Sequence, residues 1–430
     1  QTKMVFKENV GDAQFVGASN FKRNKPEKSP TEGKFNVERF HHLHFEVGDV
    51  ATISKIFSMG LGMKIVEKSD QETGNHEFSS VVMKSNDIVF VLSAPYAEDV
   101  PTPKETNKPL PNYSKAKAHE FFRKHGLAVT AVGILVDDVK AAYEYAVSKG
   151  AIKEMEPTDL GKGVTIAEVR MYLKGDVVLR FINDSKEYKG AFVPGYENIE
   201  EDTPDVDYGL ARIDHVVGNC ADAMEAYAYF NQILGFYKFA EFIAEDVGTK
   251  DSGLNSVVCS SHNEMVLLPL NEPTFGTNKM SQIQAYIDHN RGPGVQHIAL
   301  LTPNIFETIK SMRASNCFDF QKKPYDHYYS VHVPKKMGNL ITKEQLELCK
   351  EHAILIDKEG EGKDGVLFQI FTKTLGDRPT VFIEIIQRNG CINTLTKMQA
   401  AGCGGFGRGN FGALFKTVED DFTKRGVDQV

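Results

Sequence analysis

The sequence has few cysteines, and none of the six forms a CxxC pair. In a chain of 430 residues this spacing argues against a disulfide framework or a zinc ribbon and is typical of reduced thiols. No apolar run approaches the length of a transmembrane helix; the longest is residues 88–94. Lys and Arg form no dense block, so neither nucleic acid nor a membrane is expected as a partner.

The composition that is present is that of an ordinary globular protein, with 41% hydrophobic residues, 25% charged residues and a net charge of -8. The length predicts two or three domains. Residues 1–34 are polar and read as a mobile N-terminal arm, and the acidic segment 196–207 reads as a linker. The predicted domains are therefore 35–195 and 208–430. Because the chain begins with Gln1, we expect that its natural start, with any targeting peptide, has been lost.

The two halves of the chain resemble each other. Three pairs of segments align: 40–49 with 213–222, 129–136 with 295–302, and 176–182 with 380–386. The first two segments of each half run into helical patterns and the third is a strand, so each half contains two strand–helix–strands modules. Four βαβββ-type modules predict an α+β fold in which the sheets form two open half-barrels with helices outside.

The repeat also predicts where a metal ion binds. Three ligand-type residues of the second half align with three residues of the first: His215, His297 and Glu384 with His42, Ala131 and Arg180. Two histidines and one carboxylate are typical of non-haem iron(II) oxygenases and leave coordination positions open. A single histidine on an apolar strand is usually a core residue, but three matched positions favour a metal site. The ligand set alone leaves zinc, manganese and nickel open.

The first half lacks the means to bind this ion. Ala131 has no donor atom, and Arg180 would repel a cation. We therefore expect His42 only to pack in the core of its own half.

Polar and aromatic side chains are expected beside the metal. Strand alternation places Gln369 and Phe371 on one face of the segment 366–371, and Phe382 and Glu384 on one face of a neighbouring strand. An amide and a ring suit a substrate with a polar end and an aromatic ring, although Phe371 could equally be core.

The segment 401–411 is dense in glycine but lacks the GxxxxGK[ST] spacing of a phosphate loop, so nucleotide binding is not expected. We predict a gate instead. Its glycines act as hinges, Phe406 and Phe411 present apolar surfaces, and a terminal helix over 413–425 closes on the pocket.

Several motifs resemble the 4-hydroxyphenylpyruvate dioxygenase family, particularly its plant and algal members. They include Gly294-Val-Gln-His297, Gln369-Ile-Phe-Thr372, residues 376–388 and residues 404–411. The resemblance extends from about residue 35 to residue 422. It implies the vicinal-oxygen-chelate fold and one iron(II) per chain, bound by His215, His297 and Glu384.

The resemblance also implies a set of pocket residues and a reaction. Substrate-binding positions are implied at Ser256, Asn271, Gln282, Gln296, Gln369, Phe371, Phe406 and Phe411, and catalytic roles at Gln282, Gln369, Phe371 and Asn410. Gln296 adjoins His297 and should face the other way in a regular strand. The implied reaction converts 4-hydroxyphenylpyruvate and dioxygen to homogentisate and carbon dioxide, by oxidative decarboxylation, ring hydroxylation and side-chain migration.

Further family properties are implied in the same way. They are tyrosine and phenylalanine catabolism, in plants also plastoquinone and tocopherol synthesis, a homodimer, and a cytoplasmic location, or a plastid if a transit peptide is removed. The absence of tryptophan and the segments 325–336 and 391–400 depart from the family pattern and put loop structure in doubt.

Three other readings stay open at the level of sequence. One is 4-hydroxymandelate synthase, which shares the ligands and the substrate. A second is a binding protein of the same fold, although such proteins lack a complete triad. The third is a glyoxalase-like isomerase that uses zinc or nickel.

Overall fold

A computed structural model describes residues 15–16, 24, 26, 28–199, 206–243, 253–276, 279–325, 327–358, 365–390, 392–393, 399, 402 and 404–426. Within these residues, no helix is long and apolar enough to cross a membrane.

The first half follows a short strand β1 (Phe15–Val16). Its elements are β2 (Val37–Glu46), α1 (Val50–Leu61), β3 (Lys64–Ser69), β4 (Phe78–Ser85), β5 (Ile88–Pro95), α2 (Lys115–His125), β6 (Ala128–Val136), α3 (Val139–Ser148), β7 (Lys153–Asp159), β8 (Thr165–Arg170), β9 (Val178–Ile182) and β10 (Glu197–Asn198). Leaving α2 and β10 aside, this is strand–helix–three strands, twice.

The second half repeats the order. Its elements are β11 (Arg212–Asn219), α4 (Ala223–Leu234), β12 (Tyr237–Phe242), β13 (Leu254–Ser260), β14 (Leu267–Pro273), α5 (Gln282–Asn290), β15 (Gly294–Leu301), α6 (Ile305–Ser315), α7 (Val333–Met337), α8 (Lys343–His352), β16 (Leu355–Lys358), β17 (Val366–Phe371), β18 (Phe382–Asn389), β19 (Ile392–Asn393) and α9 (Phe411–Arg425). A π-helical turn, Tyr328–His332, precedes α7.

Each half forms one mixed sheet, and the two sheets have the same strand order apart from β10, an additional edge strand of the first. The first is β10-β3-β4-β5-β2-β6-β9-β8-β7, and the second is β12-β13-β14-β11-β15-β18-β17-β16. In both, the first strands of the two modules pair antiparallel at the centre and each is parallel to the last strand of its own module. The predicted α+β fold of four βαβββ modules in two half-barrel sheets, with a helix at the C-terminus, is confirmed.

The same local signal starts the helix of every module. The side chain of a capping residue accepts a hydrogen bond from a backbone N–H in the first turn, and the four caps are Asp49, Asp138, Asp222 and Asn304. The cap satisfies an amide that has no partner within the helix. Each module therefore turns from strand to helix at a fixed place, which positions the strand that carries a site residue.

The register of strand pairing confirms the positional alignment of the halves. His215 lies beside Ala299, which lies beside Glu384; correspondingly, His42 lies beside Gly133, which lies beside Arg180. The central strand pair β11–β15 contains two β-bulges, whose unpaired residues are Asp214 and Gln296. The central pair β2–β6 has bulges at the two corresponding positions, His41 and Thr130, and a third at Glu38.

The first half differs from expectation at His42. This side chain does more than pack, because the buried guanidinium of Arg180 donates from Nη1 to His42 Nε2 over 3.0 Å and from Nε to Glu168 over 2.7 Å. Arg180 thus provides a fixed internal cation at the position that corresponds to Glu384. The adjoining histidine at the bulge, His41, contacts His42 with its Nδ1 atom 2.9 Å from the Nδ1 atom of His42.

Described residues within the predicted N-terminal arm and the predicted linker take part in the fold, and the terminal helix starts earlier than predicted. Most of the predicted arm lies outside the described residues, but β1 pairs with β19 and Asn24 donates its backbone N–H to Phe239. At the predicted linker, β10 pairs with β3, so the first sheet extends two strand residues into 196–207, of which 200–205 lie outside the described residues. The terminal helix begins at Phe411 rather than at residue 413.

Candidate metal centre

Three neighbouring strands at the middle of the second sheet carry the predicted ligands. His215 lies on β11, His297 on β15 and Glu384 on β18, and all three are largely buried. Ala299 occupies the middle strand between His215 and Glu384, and its small side chain lets the two longer ones meet across it. The strand register thus brings together three residues that are up to 169 positions apart in sequence.

The donor atoms of this triad have the spacing of a metal site. Nε2 of His215 and Nε2 of His297 each lie 3.3 Å from Oε2 of Glu384, and one ligand atom from each residue lies within 4.8 Å of the others. Ligands about 2.1 Å from one ion and at right angles are separated by about 3.0 Å. Two neutral imidazoles and one carboxylate at this spacing therefore fit one divalent transition metal on one face of the triad.

The outer nitrogen of each imidazole is held by a bulge residue. Nδ1 of His215 donates to Asp214 over 2.8 Å, and Nδ1 of His297 donates to the side-chain oxygen of Gln296 over 2.9 Å. A bulge breaks the alternation of a strand, so neighbouring side chains can turn toward one another. Each contact holds a proton on Nδ1, so an ion that displaces the Nε2 proton shared with Glu384 meets the Nε2 lone pair, as metal binding requires.

The negative charge of Asp214, behind His215, is balanced by the guanidinium of Arg388. Its carboxylate accepts from Nη2 of Arg388 over 2.9 Å and from Nε over 3.2 Å. Burial alone would raise the pKa of Asp214, but the nearby Arg388 guanidinium outweighs burial and holds that pKa well below its usual range. The residue is therefore an anion that can support a positively charged centre at His215.

The ligands themselves are tuned by burial and by each other. Burial would raise the pKa of Glu384, yet the hydrogen bonds with His215 and His297 outweigh it and bring the pKa to about 2. Burial lowers the pKa of His297, whereas hydrogen bonds to Asp214 and Glu384 outweigh burial at His215 and raise its pKa. The carboxylate is ionised at neutral pH and available to a cation.

A pocket with about 460 Å³ of empty space opens onto the triad. Besides the three ligands it is lined by seven of the predicted site residues: Ser256, Asn271, Gln369, Phe371, Phe406, Asn410 and Phe411. Its walls are apolar apart from a few amides and one hydroxyl, which is the composition expected of a site for a small organic molecule.

Two predicted substrate residues do not line this pocket. Gln282 is the buried first residue of α5, and Gln296 lies behind His297, where it also receives a longer contact from Asn271 at 3.4 Å. Sequence reasoning placed Gln296 on the far face of a regular strand; the bulge instead turns it to the imidazole.

Five pocket residues were missed by sequence reasoning: Val217, Phe242, Pro269, Gly407 and Leu414. Alternation could have found Val217, two residues from His215, and Pro269, two residues from Asn271. Leu414 lies one turn beyond Asn410, where helical spacing could have found it. Gly407 is required because its φ is +72° and a Cβ there would lie 1.9 Å from Oε1 of Gln369.

The glycine-rich segment lies against the ligands. The ring of Phe406 meets the His215 ring edge-on at 5.1 Å, and the Phe242 ring packs against Phe411 at 5.7 Å. Arg388 donates from Nη1 to the carbonyl of Gly405 over 2.5 Å. The same guanidinium thus contacts both Asp214 and the loop that covers the pocket.

Comparisons with known proteins agree with this architecture. A family model described as Glyoxalase/Bleomycin resistance protein/Dioxygenase superfamily matches residues 39–170. A triple mutant of 4-hydroxymandelate synthase from Streptomyces coelicolor superimposes with a TM-score of 0.70 at 21% identity, over 90% of this chain and 99% of that chain. The fold is that of the vicinal-oxygen-chelate proteins.

Curated relatives resemble the chain much more closely in sequence. A 4-hydroxyphenylpyruvate dioxygenase from Daucus carota is 45% identical over 422 residues, which cover 96% of this chain and 93% of that protein. The protein of that name from Arabidopsis thaliana is 44% identical over 95% of this chain and 92% of its own length. One from Danio rerio is 35% identical over 93% of this chain.

Proposed function

The chain belongs to the 4-hydroxyphenylpyruvate dioxygenase family, and on that premise we propose that it converts 4-hydroxyphenylpyruvate and dioxygen to homogentisate and carbon dioxide. The observation that carries the proposal is the triad of His215, His297 and Glu384 facing an apolar pocket with a few amides. The reaction combines oxidative decarboxylation of the side chain, hydroxylation of the ring and migration of the side chain, within tyrosine and phenylalanine catabolism.

Iron(II), one ion per chain, is the metal we propose. When bound, it supplies a chelation site for the 2-oxo acid and the redox chemistry that dioxygen requires. His215, His297 and Glu384 would hold it, and Asp214 and Gln296 would keep the two imidazoles in the tautomer that binds.

The pocket residues orient the substrate. Phe371 and Phe406 or Phe411 flank its ring, since their rings surround the space above the triad. Ser256 and Asn271 on neighbouring strands, together with Gln369 and Asn410, provide the polar contacts that fix its carboxylate, carbonyl and phenol. Orientation matters because the same substrate could be hydroxylated at its benzylic carbon if the ring were held differently.

The C-terminal segment excludes water. The helix α9 and the turn before it contribute Asn410, Phe411 and Leu414 to the pocket wall, so movement of α9 would open the site. A closed α9 keeps bulk water from the reacting centre and raises the strength of every polar contact within it.

Assembly and location belong to the same proposal. We expect a homodimer, which light scattering on the purified chain tests. We expect a cytoplasmic enzyme, with the plastid as the alternative if a transit peptide is removed; fusion of the natural gene product to a fluorescent protein distinguishes them.

The test measures oxygen uptake and product. The purified chain with Fe²⁺ should consume dioxygen only when 4-hydroxyphenylpyruvate is present and should release homogentisate. His297→Ala should abolish uptake, whereas His42→Gln, at the position in the first half that corresponds to His215, should retain it when folded. Formation of 4-hydroxymandelate without homogentisate would refute the reaction, and full uptake by His297→Ala would refute the metal site.

A further inference from the structure

A directed line of hydrogen bonds runs from Tyr328 to a metal ligand. The Tyr328 hydroxyl donates to Oδ1 of Asn410 over 2.7 Å, Nδ2 of Asn410 donates to Oε1 of Gln369 over 2.9 Å, and Nε2 of Gln369 donates to Oε1 of Glu384 over 2.9 Å. All four side chains are buried. The line ends on the carboxylate oxygen other than the one that faces the two histidines.

The direction of this line is set at Tyr328. The backbone N–H of Ile356 donates to the phenolic oxygen over 2.9 Å, so the hydroxyl proton points elsewhere. Its partner at 2.7 Å is Asn410, while the carbonyl of Ile356 is more distant at 3.2 Å. Burial raises the pKa of Tyr328 well above its usual range, so the hydroxyl keeps its proton at neutral pH.

We propose that Tyr328 is a positioning residue that fixes which atoms of Gln369 and Asn410 face the substrate. A donor that binds the oxygen of a side-chain amide fixes which side of that amide carries oxygen and which carries N–H. In both side chains the oxygen accepts within the line, so each retains one further N–H on a residue that lines the pocket. N–H groups bind the oxygens of a 2-oxo acid, whereas rotated amides would place oxygen against oxygen.

The segment around Tyr328 also anchors the backbone next to Asn410. Lys336 pairs with the buried carboxylate of Asp357, which accepts the backbone N–H of Gly409 over 2.6 Å. The turn that carries Asn410 is therefore held by Tyr328 directly and by Lys336 through Asp357 on β16. Tyr328 itself begins the π-helical turn Tyr328–His332.

The chain provides a matched control for Tyr328. Its neighbour Tyr329 is equally buried, but its hydroxyl donates to the backbone carbonyl of Ile354 over 3.0 Å and takes no part in the line. Tyr328→Phe removes the hydrogen bond to Asn410 and those with the backbone of Ile356, whereas Tyr329→Phe removes one hydrogen bond to the carbonyl of Ile354. A merely structural role predicts a larger loss in melting temperature for Tyr328→Phe but kinetics similar to those of Tyr329→Phe.

The role of Tyr328 rests on the proposed function, but it predicts a kinetic difference between the two variants that the proposed function alone does not. In Tyr328→Phe we expect kcat/KM for 4-hydroxyphenylpyruvate to fall about tenfold, mainly through KM, as expected for one lost polar contact. Tyr329→Phe should stay within about twofold of wild type. Equal kinetics in the two variants, with wild type active, would overturn the role of Tyr328; an inactive wild type would instead refute the proposed function.

Metal binding provides a readout that is independent of turnover. Titration of the metal-free chain with Co²⁺ should show a dissociation constant several-fold higher in Tyr328→Phe and unchanged in Tyr329→Phe, because Gln369 no longer orients Glu384. If Tyr328→Phe does not fold, Asn410→Asp breaks the same line one link later, because a carboxylate cannot donate to Gln369. Asn410→Asp with wild-type KM and wild-type Co²⁺ affinity would refute the proposal.

Discussion

Asparagine in place of Asp214 is expected to weaken metal binding by changing the tautomer of His215. The carboxylate accepts from Nδ1 of His215 over 2.8 Å and from both Nη2 and Nε of Arg388. Oδ2 accepts from both Nδ1 of His215 and Nη2 of Arg388, and Oδ1 accepts from Nε of Arg388, so the NH₂ group of an asparagine meets a donor of Arg388 in either orientation. In the orientation that places NH₂ at Oδ2, His215 turns its Nδ1 lone pair toward the amide and carries its proton on Nε2.

The magnitude follows from these contacts. A proton on Nε2 blocks the atom that lies 3.3 Å from Glu384 and faces the proposed ion. Loss of a partner that orients a metal-binding histidine typically costs 10–100-fold in affinity, or about 1.4–2.7 kcal/mol. The buried guanidinium also loses its counter-charge, so we expect Asp214→Asn to lower the free energy of unfolding by about 3 kcal/mol.

Calorimetric titration of the folded, metal-free chain with Co²⁺ or Fe²⁺ under nitrogen measures the affinity directly. His41→Asn is the matched control, since His41 is the bulge residue at the same position of the first sheet and contacts His42. Its metal affinity should equal that of wild type. If Asp214→Asn bound metal as tightly as wild type while remaining folded, the role assigned to the bulge residue would be refuted.

Three further predictions concern other parts of the chain. Gln296→Met should weaken metal affinity about tenfold yet leave KM for the substrate within about twofold, because its oxygen contacts His297 at 2.9 Å and the pocket residue Asn271 only at 3.4 Å. A large rise in KM alone would restore the substrate role implied by the family. Burial raises the pKa of Glu46 to about 8, so the folded state keeps the Glu46 proton while the unfolded chain releases it above pH 4.5, and the free energy of unfolding falls as pH rises between these values. In urea unfolding, the stability advantage of Glu46→Gln over wild type should therefore be up to about 4 kcal/mol larger at pH 8 than at pH 5. An equal advantage at both pH values would contradict this. Gly407→Ala should reduce kcat/KM at least about tenfold, since the added Cβ atom would displace Gln369. The control is Gly412→Ala, whose added Cβ atom has no neighbour within 4 Å; it should retain activity and slightly raise the melting temperature.

The grouping of the three ligand-type residues could be predicted because the repeat supplied an internal comparison. Matching His215, His297 and Glu384 to positions of the first half required only hydrophobic patterns and segment spacing, both of which are local. Alternation likewise placed Gln369 and Phe371 on one side of a strand, and both line the pocket. These features follow from the period of a strand, which the sequence displays directly.

The residues that support the ligands could not be predicted in this way. Asp214 and Gln296 act as they do because each is the unpaired residue of a bulge, and a bulge is a property of two strands that pair far apart in sequence. Tyr328 reaches Asn410 from 82 positions away, within a segment whose π-helical turn has no simple periodic signature. The positions that depend on local periodicity could therefore be predicted, whereas those that depend on long-range strand pairing or irregular backbone could not.

The bulges occur in both sheets, although only the second half has the three ligands. Their presence at His41 and Thr130 shows that the irregular backbone does not depend on the three ligand-type side chains. At this place the two halves differ by a few side chains on a common frame. Where the second half groups His215, His297 and Glu384 around a candidate site for a removable ion, the first half holds the permanent charge of Arg180.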